Sequence, residues 1–211
     1  MSNIFDNVRI ALERSDIVTL EEINKKLSLE VDSLCFLTEE NLHLLINQIH
    51  LKRNICAEAY LSKNAKSNKL LPILSTSSGN RLYSSVSLVI VGNNSLVDIL
   101  RVLTSMELFI NADFYSKHPI FNDIINSGKY NFYSYDNILK MALSKTVVDQ
   151  DITKNKQCVR SEAINNCFEN QWSSFMCILG LSSVVNSQFF CHYPEFGLDR
   201  FFLHLTNKTK G

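Results

Sequence analysis

From Ser95 to Ile110 the chain reads SLVDILRVLTSMELFI, in which Leu96, Ile99, Leu100, Leu103, Met106 and Ile110, with Glu107 among them, recur every three or four residues. Only an α-helix gathers such positions on one side. Ser95 and Asp98 are three apart, the spacing at which an oxygen side chain and a carboxylate satisfy free N–H groups at a helix start. A helix of this length must bury its apolar side, so the rest of the chain has to supply packing partners.

Helical spacing supplies several. Residues 82–91 predict a helix with Leu82, Val86, Val89 and Ile90 inward, stopped at Gly92, which takes positive φ readily. Residues 4–13 predict a short amphipathic helix ending near Ser15 and Asp16, and Thr19 with Glu22 forms a capping box opening a helix at 20–27. Thr38, Glu39 and Glu40 precede LHLLINQIHL, a further predicted helix. Others are expected at 111–126, 134–145 and 161–167, with 146–160 as a weakly periodic connection. A closely packed helix follows Trp172, with Phe175, Met176, Leu179 and Val184 apolar and Gly180 between them, ending at Asn186. Strands are expected in three places: briefly in LLPIL at 70–74, in QFFCHY at 188–193 before Pro194, and in FFLHL at 201–205.

With 211 residues, 45% of them hydrophobic, the chain is long enough to bury a sizeable core. Its 21 basic and 21 acidic side chains cancel, so no bulk positive field draws it to nucleic acid or anionic membranes. DNA binding would need a local patch, and Lys52, Arg53, Lys63, Lys66 and Lys69 form the candidate. The N-terminus lacks the pattern of a secretory signal, and no segment reaches the length of a membrane span. A nuclear or cytoplasmic protein with six reduced cysteines is the expectation. Without Cys-x-x-Cys or Cys-x-x-His there is no zinc pattern, and no cofactor is expected.

Candidate chemistry is sparse. Cys191 and His192 are adjacent on a predicted strand, so they face opposite ways and cannot pair. His204 reads as a core residue, and His43, His50 and His118 read as surface residues. Asp98, Glu107 and Asp113 do not form a catalytic carboxylate pair by spacing. Trp172 and the aromatic residues Phe189, Phe190, Tyr193, Phe196, Phe201 and Phe202 fit core packing. The remaining feature is Ser78-Gly79-Asn80-Arg81-Leu82, a loop entering a helix. Unpaired N–H groups at such a start lower a thiol pKa and hold an oxyanion. Arginine in that position stays protonated and is no nucleophile.

Two stretches carry a family resemblance: GNRLYSSVSLVIVGNNSLVDILRVLTSMELFINADFYSKHP and NQWSSFMCILGLSSVVNSQFFCHYPEFG. The first resembles the segment of ovarian-tumour-type (OTU) cysteine proteases in which Asp-Gly-Asn-Cys-Leu-Phe opens the nucleophile helix. The second resembles the Trp-led helix and strand later in that fold. The nearer resemblance, over about residues 74–205, is to the vertnin-like family. It implies an α+β, OTU-like fold, helix-rich with a small sheet. The expected organisation is an N-terminal helical appendage over 1–60 and an OTU-like domain over 61–211, shortened at its C-terminus. On that register Gly79, Asn80, Leu82 and Tyr83 match the motif, Arg81 stands at the protease cysteine, and Ser78 at its aspartate. The resemblance then implies a pseudo-peptidase, a binding or regulatory module with a protein partner, ubiquitin among the candidates, and a nuclear role. The rival expectation is a thiol isopeptidase using a displaced Cys177 or Cys191.

Overall fold

The computed structural model describes residues 2–32, 51–58, 61, 67, 72–75, 79–126, 134–150, 154–168 and 171–189. In chain order the helices are α1 (Ser2–Arg14), α2 (Ile17–Asp32), α3 (Ile55–Glu58), α4 (Arg81–Val91), α5 (Val97–Ile110), α6 (Ala112–Tyr115), α7 (Pro119–Asn126), α8 (Tyr135–Met141), α9 (Lys145–Val148), α10 (Asn155–Asn166) and α11 (Phe175–Val184).

The expected α+β class is corrected: among the described residues there is no strand, and the one extended pairing is an isolated antiparallel bridge between Arg53 and Ile73. Of the predicted strands, LLPIL contributes Ile73 to that bridge, with Leu70 and Leu71 outside the described residues, and Gln188 and Phe189 are irregular. Residues 190–193 and 201–205 lie outside the described residues, as does the helix predicted after Thr38. The physical reason for the correction is that helices supply most of the described core. Helix α5 is packed by α1, α2, α4, α10 and α11. It is buried almost all round, from Leu100, Val102, Leu103 and Met106 to Leu108 and Phe109. An apolar stripe thus understates α5, which is the axis of the fold.

Phe5, Val8, Ala11 and Leu12 of α1 and Leu20 and Leu27 of α2 belong to the same core cluster as Val102, Leu103 and Met106. The α1–α2 corner is made by Ser15, at φ 54°. Asp16, rather than Thr19, caps α2: its carboxylate accepts from the Thr19 N–H at 3.1 Å and from the Thr19 hydroxyl at 2.7 Å. Two further boundaries differ from the spacing. The segment expected over 111–126 breaks at Ser116 to His118, where Pro119 begins a new helix. The connection expected over 146–160 holds α9 and the first half of α10.

Helix α11 packs directly on α5. A Cβ on Gly180 would lie 2.8 Å from Leu108 Cγ, 3.0 Å from Leu108 Cδ2 and 3.2 Å from Thr104 Cγ2, so the contact is close because the side chain is absent.

His118, expected at the surface, is 3% exposed among Phe114, Tyr115 and Phe121. Its Nδ1 accepts from the Ile120 N–H at 3.2 Å, and burial pulls its pKa down to about 4, with Asp123 opposing. Between pH 6.5 and 4 the unfolded chain takes up this proton and the folded chain does not. Stability attributable to His118 is therefore full above pH 6.5 and is lost as pH falls through that window, by about 3 kcal/mol. Urea titrations across this range should show that loss in the parent and a flatter profile in His118→Asn, which retains an acceptor for the Ile120 N–H.

Candidate functional site

The turn before α4 is held from below. Arg101 on α5 is 1% exposed. Its Nη2 donates to the Gly79 carbonyl at 3.0 Å, to Asn80 Oδ1 at 2.6 Å and to the Gln171 carbonyl at 3.1 Å. Its Nη1 donates to the carbonyls of Asn166 at 2.8 Å and Phe168 at 3.2 Å. The guanidinium also lies over the Tyr83 ring, 4.7 Å from its centroid. Asn80 occupies the N-cap position of α4 but makes no side-chain cap bond, because its amide oxygen accepts from Arg101 instead. One buried cation therefore joins the turn at 79–80, the end of α10 and the segment leading to α11.

A second layer fixes that cation. The Tyr83 hydroxyl donates to Asn166 Oδ1 at 2.7 Å, while Asn166 Nδ2 donates to Ser105 Oγ at 3.0 Å. Tyr83 and Asn166 are both buried. Desolvation raises the Tyr83 pKa well above its ordinary value, so the hydroxyl is a donor and not a base. The network positions backbone and presents no nucleophile.

Arg81 points the other way. It is exposed, and its guanidinium lies 5.1 Å from the centroid of the Trp172 ring. Trp172, expected in the core, is 66% exposed and precedes α11, whose N-cap is Ser174. A cation at a helix N-terminus meets the helix dipole with the unfavourable sign, and the ring face offsets part of that cost. Leu82 turns inward against both hydrophobic clusters, and Ser78 lies outside the described residues. Arg81→Ala is expected to change stability by under about 1 kcal/mol, yet to shift the emission of Trp172, the one tryptophan of the chain. An unchanged spectrum would refute the stacking.

The far corner of α4 is polar and tight. Gly92 sits at φ 76°, and its N–H bonds the Leu88 carbonyl. The Ser84 hydroxyl donates to Asn94 Oδ1 at 2.7 Å, Ser87 Oγ accepts from the Leu96 N–H at 3.1 Å, and Asn93 Oδ1 accepts from the Ser95 N–H at 2.8 Å. These bonds hold Ser95 and Leu96 just ahead of α5, whose N-cap is Leu96 with no side-chain cap bond, in place of the expected capping by Ser95 with Asp98. Val89, expected inward, is 58% exposed.

Cys177 is fully buried beneath the site. Its thiol contacts Glu162 Oε1 at 3.6 Å, and Glu162 Oε2 accepts from the Ser144 N–H at 2.8 Å. Desolvation, then the Glu162 carboxylate, pushes the Cys177 pKa up to about 12. Cys158 and Cys167 are buried and Cys56 is exposed. Cys191, His43, His50, His192 and His204 lie outside the described residues. Of the carboxylates weighed from spacing, Glu107 accepts from the Tyr115 hydroxyl at 2.9 Å and Asp113 pairs with Lys117 at 3.1 Å.

In the candidate basic patch, Lys52 is exposed and Arg53 is paired with Glu58, while Lys63, Lys66 and Lys69 lie outside the described residues. Among the described residues no group of histidine, cysteine or acidic side chains is arranged to hold a metal, and no helix is long and apolar enough to cross a membrane.

Arg101 and Asn166 were not legible as site residues. The available signal was an arginine inside the helical run from Ser95 to Ile110, off the positions at which its apolar residues recur. The family model described as "Vertnin, OTU domain" matches residues 72–208, which include the turn, α4 to α11 and Trp172. No curated protein and no solved structure matches the chain.

Proposed function

The chain belongs to the vertnin OTU-domain family, and from that premise we propose that it is a binding and regulatory module without peptidase activity. The observation that carries the reading is Arg81: an exposed guanidinium, stacked on Trp172, where the protease resemblance would put the thiol. A guanidinium stays protonated and cannot attack a carbonyl. The turn itself is kept rigid by Arg101, which favours a surface used for recognition over a vestige free to drift.

The rival isopeptidase reading asks Cys177 to act as nucleophile. Full burial and a pKa of about 12 leave almost no thiolate at neutral pH. A ubiquitin-based electrophilic probe is expected to label no cysteine; labelling of one cysteine, mapped by mass spectrometry, would overturn the proposal.

The partner proposed is a protein, with uncleaved ubiquitin as one candidate, in nuclear regulation of transcription. Exclusion of the tagged chain from nuclei would remove the nuclear part. For DNA, the neutral charge and the Arg53–Glu58 pair argue against direct contact by this patch. No retardation is expected in a band-shift assay at moderate salt.

A further inference from the structure

Away from the turn, a cavity of about 640 Å³ opens between α6, α8 and the start of α10. Lys117, Lys154 and Lys156 line it together with Asp113 and Asp136. The two carboxylates are occupied: Asp113 accepts from Lys117 Nζ at 3.1 and 3.2 Å, and Asp136 accepts from Asn155 Nδ2 at 2.9 Å. Neither Lys154 nor Lys156 has a carboxylate partner within 4 Å among the described residues. Between them stands Asn155, the first residue of α10, whose N-cap Lys154 makes no side-chain cap bond and whose first turn carries no acidic residue.

We infer that this cavity binds a compact phosphate monoester, held by Lys154 and Lys156, with Lys117 also in its lining. Two exposed ammonium groups with no carboxylate partner among the described residues, at an open cavity, favour an oxyanion carrying more than one charge. The amides at the start of α10 add donors to the same place. Asp113 and Asp136 limit what else fits. An extended polyanion would lay further phosphates against them, whereas a single phosphate group sets less charge against these carboxylates.

A phosphorylated side chain of another protein and a small phosphorylated metabolite present the same group. Amide chemical shifts of the full chain, titrated with inorganic phosphate, a phosphoserine peptide and a nucleoside monophosphate, would read the site directly. The expected result is movement of the amides at 154–157 with each probe, and none with the unphosphorylated peptide. Tighter binding of the peptide would assign a protein source, and tighter binding of the nucleotide a metabolite. In Lys154→Gln/Lys156→Gln, whose melting temperature checks the fold, affinity should fall about tenfold or more. No shift at these amides, unchanged affinity in the double variant, or tighter binding of a short single-stranded oligonucleotide than of any monoester would overturn the inference. Because the cavity is separate from Arg81 and Trp172, its outcome does not depend on the proposed function.

Discussion

Replacing Arg101 with alanine is expected to lower the free energy of unfolding by about 3–5 kcal/mol, the range seen when one member of a buried charged network is removed. The side chain serves the carbonyls of Gly79, Asn166, Phe168 and Gln171 and the amide oxygen of Asn80, and those acceptors would remain in a site too enclosed to hydrate fully. Arg101→Lys keeps the charge but replaces a planar fork by a single ammonium, which cannot span acceptors on three segments. It should recover less than half of the loss. Arg101→Met restores volume without donors, and urea denaturation showing it as stable as the parent would refute the bonding account. The same series should move Trp172 emission, because the Gln171 carbonyl is one of the acceptors.

Gly180→Val is expected to cost about 2–3 kcal/mol through overpacking. Even a first carbon would meet Leu108 Cγ at 2.8 Å, and Leu108 is wholly buried on α5. Gly180→Ala should cost less, because alanine's helix propensity returns up to about 1 kcal/mol. Coupling identifies the cause: with Leu108→Ala beneath it, Gly180→Val should lose much of its penalty, giving a non-additive double-mutant cycle. Additive costs, measured by denaturation, would locate the strain elsewhere.

These two sites also mark what sequence can and cannot disclose. The helix from Val97 to Ile110 was legible because Leu100, Leu103 and Met106 repeat at its period, and Gly92 announced the stop before it. The small residues of α11 announced close packing, and Gly180 against Leu108 is that contact. Periodicity ranks residues by polarity, however, so it did not single out Arg101, which is buried, and it sent Trp172 inward although it is exposed. A buried arginine is stable only through acceptors contributed by Gly79, Asn166 and Gln171, and such long-range partners leave no mark at the position itself. Sheet expectations failed among the described residues for a related reason. Aromatic and β-branched runs favour strands only when strands are available to pair, and the described core is closed by helices.

The polar corner between α4 and α5 has a kinetic consequence. Its fastenings join residues no more than ten apart: Ser84 to Asn94, Ser87 to Leu96, and Asn93 to Ser95. Loops that short close quickly and at small entropic cost. The two helices can therefore meet as a hairpin before the distant ends of the chain arrive. Arg101 rides on the second of them and would wait, donors free, for the segment 166–171 to come in. Substitutions at Ser87 should then slow folding, whereas substitutions at Asn166 should chiefly speed unfolding.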